Sequence, residues 1–354
     1  MALTSLLASP TIERISLITN ITNCTLKAGG FDFVRMARIN SKKFVAFVYS
    51  FVEFVIRNPM QDIRPSPLVG QWYPADKAAL AQSVDAYLDA AKVEAPTGEI
   101  VGLIAPHAGH RYSGPVAAYA FRLVRGLSVE TAAILCPSHF HADGPVLTSG
   151  HDAYVTPLGA VEVDREAVGR LRKELKVASG RWKVEGERWK EEEQMLMEIR
   201  NDREHAIEIE LPFLQRTLTG NFKLIPLMLR DQSERVTRAL ALALTKILSG
   251  QRALIVASSD LSHYFPQAIA QKLDSEILQY IDSCDPLGIH SAEAQAEAKG
   301  YKLACGYGAV TSTLWAARDL GATQAKVLHH ATSGDVTGDY SQVVGYGAGV
   351  VWKE

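Results

Sequence analysis

Residues 99–110, EIVGLIAPHAGH, decide the fold, because seven nearly continuous apolar residues run directly into Pro106, His107 and a glycine-containing turn. An apolar run of this length without alternation is typical of a strand buried on both faces of an α/β sheet. Ligands of such sheets sit beyond the carboxyl ends of the strands. The segment therefore predicts a fold class and also places His107 where a functional site is expected.

Further apolar runs of the same kind predict the rest of the sheet. They lie at 131–136, 222–229, 253–257, 325–329 and 344–352. Segments with helical spacing and one polar face alternate with them, at 77–92, 115–125, 164–176, 233–248, 267–283 and 309–320. We therefore expect an α/β fold: a single three-layer domain with a central, mostly parallel or mixed sheet covered by helices on both faces.

Composition narrows the organisation and the function classes. With 37 basic and 39 acidic residues among 354, the chain has no basic field for polyanions, which excludes nucleic acid as a partner. Residues 1–62, rich in Ser, Thr and Asn, are interpreted as an amino-terminal extension, and residues 63–354 as the α/β domain. Within that domain, residues 180–204 are dense in charge and are expected to form a surface insertion.

Several features bear on location. The four cysteines are far apart and form no CxxC pair, which is typical of reduced thiols in the cytosol. The longest apolar run, residues 44–56, has 13 residues and falls short of the roughly 20 that a membrane span requires. Lysines and that apolar run depart from the pattern of a mitochondrial transit segment. We expect the protein to be located in the cytoplasm. A nuclear location is also consistent with these features, and a mitochondrial location is less consistent with them.

Histidines concentrate at the junctions where strands end or helices begin. Six of the ten lie there: His107, His110, His139, His141, His205 and His263. A single histidine near a strand end is usually an ordinary hydrogen-bonding residue, but several at one sheet edge can offer imidazole nitrogens to one ion. The pattern predicts a metal or acid–base site, with a carboxylate such as Asp260 or Glu208 orienting the rings.

Cys305 adds a sulfur donor to these candidates. It lies in a glycine-rich entry to the helix predicted at 309–320, where the helix dipole and free backbone amides favour a thiolate. Joined to two histidines it would suit copper, iron or zinc better than magnesium or calcium. Without a metal, Cys305 and a neighbouring histidine could act as a nucleophile and its base.

These motifs, taken in order, resemble the Memo family, named for a mediator of ErbB2-driven cell motility. The matching segments are GQWYP (70–74), APHAG with YSG (105–114), PSH (137–139), EHAIE with LP (204–212), SSDLSH (258–263) and Cys305-Gly306. The resemblance covers residues 64–352. It departs from the family at Pro67-Leu68-Val69, where a histidine often precedes the Trp-Tyr segment.

The resemblance implies a fold similar to class III extradiol dioxygenases, with a metal pocket at the strand ends. His107, His139 and Cys305 match the family's copper or iron ligands, whereas His205, Asp260 and His263 match further pocket residues and are assigned catalytic roles. The dioxygenases use a carboxylate where this chain has the cysteine, which argues against ring cleavage.

Two functions follow from this resemblance. The first is a metal-dependent oxidoreductase that generates reactive oxygen species and acts in signalling or cell motility. The alternative is a non-catalytic adaptor that binds a phosphotyrosine peptide of a receptor in the same pocket. Arg111 and Tyr112 are its candidate ligand-binding residues, because a guanidinium can grip phosphate with two hydrogen bonds.

Overall fold

The computed structural model describes residues 62–181 and 195–354, and these belong to one compact unit that begins at Asp62. The predicted extension, apart from Asp62, and residues 182–194 of the predicted insertion lie outside the described residues. Within the described ranges, no helix combines the length and apolar character needed to cross a membrane.

The centre of the unit is a mixed sheet. Its strands are β2 (Glu99–Ala105), β3 (Thr131–Pro137), β4 (Val146–Ser149), β7 (Leu196–Ile199), β8 (Lys223–Leu229), β9 (Ala253–Ser258), β10 (His263–Phe265), β11 (Gln324–Thr332) and β12 (Val343–Lys353). They lie in the order β10-β12-β2-β9-β3-β8-β4-β7, with β11 paired to β12. The middle strands β2, β9, β3 and β8 are all parallel, and their apolar residues are buried on both faces.

Helices cover this sheet on both faces, which confirms the predicted three-layer α/β fold. They are α1 (Lys77–Ala90), α2 (His110–Arg122), α3 (Arg165–Arg181), α4 (Ala206–Thr217), α5 (Glu234–Leu248), α6 (Gln267–Asp282), α7 (Pro286–Glu297), α8 (Tyr307–Asp319) and α9 (Gly334–Thr337). Helices α1, α2 and α4 pack together, while α5 packs on α3 and α8, and α7 on α6 and α8. A small second sheet contains β1 (Ile63–Arg64), β5 (Ala153–Thr156) and β6 (Gly159–Glu162).

Two local features differ from the sequence-based expectation. The helix predicted at 115–125 begins at His110, so Pro115 lies inside α2, and Arg111 and Tyr112 lie in its first turn. The carboxyl end of the predicted surface insertion takes part in the fold, since β7 pairs with β4 and Glu204 is 1% exposed. Charge density alone therefore did not distinguish surface residues from buried, paired ones in this segment.

Candidate metal centre

The parallel register of the middle strands brings the ends of β2, β3 and β9 to one edge of the sheet. Ala105, the last residue of β2, pairs with Ser258, the last residue of β9. Leu135 of β3 pairs with Ala257 of β9. The loops that carry His107, His139 and Asp260 consequently leave the sheet side by side.

Three side chains converge at this edge. One donor atom from each of His107, His139 and Cys305 lies within 4.8 Å of the others. The Sγ atom of Cys305 is 3.3 Å from Nε2 of His107, and the two imidazole rings are 5.2 Å apart. His107 and Cys305 are buried, whereas the side chain of His139 is 34% exposed, so the cluster opens to solvent at His139.

Hydrogen bonds fix the orientation of both imidazoles. Nδ1 of His139 lies 2.9 Å from Oε1 of Glu204, and Nδ1 of His107 lies 3.0 Å from Oγ of Ser258. The Ser258 hydroxyl can donate to Oε1 of the buried Glu210 at 2.5 Å, which leaves its oxygen to accept from His107. In that arrangement both rings keep Nε2 unprotonated, the form in which imidazole binds a metal.

Burial keeps the imidazoles of His107 and His205 neutral. It lowers the pKa of His107 to about 3, with a further contribution from the neighbouring His139. Burial and the nearby His107 lower the pKa of His205 to about 4. Burial opposes ionisation of Glu204, but its hydrogen bond and attraction to His139 outweigh that effect and lower its pKa to about 2. The site therefore combines neutral imidazoles at His107 and His205 with a carboxylate anion, Glu204, behind His139.

Cys305 does not show the thiolate expected from its position before a helix. Burial raises the pKa of its thiol, and the nearby Asp260 carboxylate raises it further. The sulfur contacts the backbone carbonyl of Asp260 at 3.5 Å. The metal-free site therefore holds a protonated thiol, because desolvation outweighs the field of the helix terminus, and a metal would have to displace that proton.

The three residues assigned catalytic roles lie around this cluster. The His205 ring stacks on that of His139 at 4.4 Å and lies 5.3 Å from that of His107. Oδ1 of Asp260 accepts a hydrogen bond from the backbone N–H of His107 at 2.7 Å. His263 begins β10 and is close enough to affect the pKa of both Asp260 and His107. All three contribute to the surroundings of the cluster; their chemical roles stay predictions.

The remaining candidates are placed as follows. His110 turns away from the cluster and lies 2.9 Å from the carbonyl of Ile209, and His141 is on the surface. Arg111 and Tyr112 are exposed, with the guanidinium 5.8 Å from the centre of the Tyr112 ring. They lie close to the cluster in sequence, but they point to solvent.

Glu208, expected to orient a histidine, does not do so. It pairs with the buried Arg64 at 2.7 Å and accepts a hydrogen bond from Tyr73 at 2.6 Å. The orienting carboxylate is Glu204, which the sequence reasoning missed although it directly precedes His205. Its Oε1 also accepts from the backbone N–H of His205 and Ala206. Ligand atoms of Glu204, His139 and His205 lie within 4.8 Å of one another, so these three form a second set that could hold a metal.

Trp72 forms the wall beside His205, with ring centres 4.7 Å apart. The segment before it, where the family often has a histidine, contributes Leu68, which is buried. Backbone N–H of His110 donates to the carbonyl of Trp72 at 3.0 Å and ties this wall to α2. The departure at 67–69 thus leaves an aromatic wall in place next to the cluster.

Comparisons with known proteins identify the family of this chain. A family model described as "Memo-like protein" matches residues 64–350. A MEMO1 family protein of Nitrosopumilus maritimus is 33% identical over 291 residues, covering 81% of this chain and 98% of the relative. Two relatives with the same family name match similarly. The one from Methanothermobacter thermautotrophicus is 34% identical, and the match covers 80% of this chain and 98% of the relative. The one from Methanocaldococcus jannaschii is 33% identical, and the match covers 82% of this chain and 100% of the relative. The resemblance is confirmed, and the chain belongs to the Memo-like protein family.

Proposed function

We propose that His107, His139 and Cys305 bind copper or iron and that the protein is a metal-dependent redox protein. The observation that carries the proposal is the convergence of the three donor atoms within 4.8 Å. Donors that share a tetrahedral ion lie roughly 3 to 4 Å apart, given metal bonds of about 2.0 to 2.3 Å. The spacing in this structure fits a shared ion after small side-chain adjustments.

The donor set selects among metals. Two imidazole nitrogens and a sulfur suit Cu(I), Fe(II) and Zn(II), whereas magnesium and calcium require oxygen ligands. Copper or iron, when bound, would supply one-electron chemistry with dioxygen and so produce superoxide or peroxide. Zinc fits the same donors but supplies no redox chemistry.

The surrounding residues have separate tasks in this proposal. Glu204 and Ser258 hold the two imidazoles with Nε2 free, and Asp260 fixes the loop of His107 through its backbone N–H. His205 stands between Trp72 and His139 at the open side, where its neutral ring can offer one hydrogen-bond donor and one acceptor. We assign His205, Asp260 and His263 to proton handling beside the metal ligands.

The ligand assignment is tested by metal analysis and competitive Cu(I) and Fe(II) titrations of wild type, His107→Ala, His139→Ala and Cys305→Ser. We expect each substitution to weaken binding at least tenfold. His329→Ala and Cys284→Ser are matched controls away from the cluster and should bind as the wild type does. Equal affinity in all six proteins would contradict the assignment.

Production of reactive oxygen species by the metal-loaded protein would place it in redox signalling, and through the family in cell motility. Peroxide release under air, measured for wild type and Cys305→Ser at equal metal content, tests this part. Release at the same rate from both proteins would overturn it, because free metal would then account for the signal.

A second candidate function is binding of a phosphotyrosine peptide. The observation that favours it is the exposure of Arg111 and Tyr112 in the first turn of α2, which starts three residues after His107. Calorimetric titration with matched phosphorylated and unphosphorylated peptides should show binding of the first alone. Arg111→Ala should abolish that binding while Arg122→Ala, at the other end of α2, should keep it; equal binding by both variants would contradict the assignment.

A further inference from the structure

An apolar cavity lies one side chain away from Cys305, on the side of the sheet covered by α6. Its volume, for the centre of a water-sized molecule, is about 10 Å³. Its walls include Leu261, Ile104 of β2, Ile277 and Ile281 of α6, Val310 of α8, and Gly347 of β12. One water-sized molecule itself occupies roughly 10 to 15 Å³, so the cavity has room for a single small occupant.

The lining disfavours water as that occupant. Among the described residues that form it, Ser259 contributes the one polar side chain. Its hydroxyl donates to the carbonyl of Asp260 at 2.8 Å and accepts from the backbone N–H of Gly306 at 2.9 Å. An enclosed water needs about two to four polar partners, and apolar cavities without them stay dry.

The cavity adjoins the cysteine of the metal cluster. Ala304, which lines it, immediately precedes Cys305, and Oγ of Ser259 is 3.9 Å from Sγ of Cys305. Two other lining residues, Leu278 and Val327, are half-buried and mark where the cavity approaches the surface. A small apolar molecule that crosses this layer arrives next to the sulfur.

We propose that the cavity binds one small apolar gas molecule, dioxygen in particular, beside Cys305. The inference rests on the proposed function for its purpose, because dioxygen is the reactant of a copper or iron centre. The binding itself follows from the size and dryness of the cavity and requires no metal. It can therefore be tested separately from metal binding.

The test is methyl NMR of the metal-free full chain under several bar of dioxygen, with nitrogen at the same pressure as reference. Dioxygen is paramagnetic, so a bound molecule speeds the relaxation of nearby methyl protons. We expect the enhancement at Ile104, Ile277 and Ile281 to exceed severalfold that at Leu240 and Leu244, which are buried on α5 away from the cavity. Equal enhancement at both sets would overturn the proposal.

Three variants sharpen the result. Gly347→Ala puts a methyl 3.0 Å from Cδ2 of Leu278 and 3.2 Å from Cδ1 of Leu261, and should reduce the enhancement to the level of Leu240. Gly102→Ala adds the same methyl 3.1 Å from Cγ2 of Thr313, outside the lining, and should leave it unchanged. Ile281→Val enlarges the cavity and should increase it.

Each outcome bears on one proposal. Water cross-peaks to the methyls of Ile277 and Ile281, or an enhancement that Gly347→Ala leaves intact, would overturn dioxygen binding. If the wild-type protein binds neither copper nor iron, the proposed function alone is overturned, since the relaxation measurement uses metal-free protein.

Discussion

Glu204 is the residue on which the orientation of His139 depends. Its Oε1 meets Nδ1 of the imidazole at 2.9 Å, and its Oε2 accepts the backbone N–H of His139 at 2.8 Å. Two more backbone N–H groups, from His205 and Ala206, point at Oε1. This position requires a side chain with two acceptor oxygens, because hydrogen-bond donors approach it from two directions.

We predict that Glu204→Gln weakens copper or iron binding by roughly ten- to a hundredfold, the usual effect of removing a partner behind a ligating histidine. The amide offers one acceptor oxygen and turns an N–H₂ group toward backbone donors. Competition with a chromophoric chelator measures the affinity. Glu198→Gln, on the surface end of β7, is the control; an unchanged affinity in Glu204→Gln would show that His139 needs no such support.

At the residue scale, the sequence predicted which side chains converge better than it predicted their hydrogen-bond partners. His107, His139 and Asp260 follow parallel strands, and the ends of parallel strands must meet at one edge. Glu204 was missed because it ends a charged stretch that resembles a solvated surface. Whether a carboxylate is paired or solvated depends on burial, which local composition does not reveal.

Among the elements, β12 and α6 pack so closely that one glycine is indispensable between them. A Cβ at Gly345 would collide with the carboxylate of Asp274. That carboxylate is buried, accepts the backbone N–H of Ser262 at 3.0 Å and pairs with His330 at 2.8 Å. Through Ser262 it holds the loop that connects Asp260 to His263.

We predict that Gly345→Ala lowers the free energy of unfolding by roughly 2 to 4 kcal/mol, since a buried, paired carboxylate must move. Urea denaturation measures this. Gly169→Ala in α3, where an added Cβ meets nothing within 4 Å, is the control and should be neutral or stabilising by up to about 1 kcal/mol. Similar effects of both substitutions would contradict the packing argument.

Helix α7 supports the segment that leads into Cys305 through Glu293. The backbone N–H of Leu303 donates to Oε2 of Glu293 at 3.2 Å. Burial raises the pKa of Glu293 from 4.5 to about 7, against the opposing effect of backbone N–H groups from Leu303 and Ala304. The folded protein therefore keeps a proton that the unfolded chain releases, and the associated stabilisation is present below pH 4.5 and lost as the pH rises through about 7.

Glu293→Gln, which mimics the protonated acid, should remove this pH dependence. We predict that the unfolding free energy of the variant relative to wild type rises by on the order of 1 to 2 kcal/mol between pH 5 and pH 8. Urea denaturation at both pH values gives the difference. Glu297→Gln, exposed on the same helix, is the control, and a difference that does not grow with pH would contradict the protonated state.

At the element scale, long apolar strands and periodic helices could be predicted from the sequence, whereas short edge elements could not. Strand β4, with four residues, and β10, with three, are too short to show a period. Their positions depend on pairing with β8 and β12, which is a property of the assembled sheet. Helix α7 was missed as well, and its glycine, proline and small residues dilute the apolar stripe.

For the whole molecule, a metal that binds the folded state alone must stabilise it by mass action. At a free metal concentration a hundred times the dissociation constant, the gain is about 2.7 kcal/mol, which corresponds to a rise in melting temperature of roughly 5 °C. We predict this rise for wild type with Cu(I) under reducing, anaerobic conditions, measured by calorimetry. The His107→Ala/His139→Ala/Cys305→Ser protein should show none, and an equal rise there would indicate binding elsewhere.

His107 and Cys305 touch each other although 198 positions separate them along the chain. An ion bound to both would be a reversible cross-link that closes most of the domain into one long loop. When the protein is stretched between its ends in an optical trap with the ion bound, that loop should extend in one late step. Adding a chelator should turn the same extension into an early, low-force event.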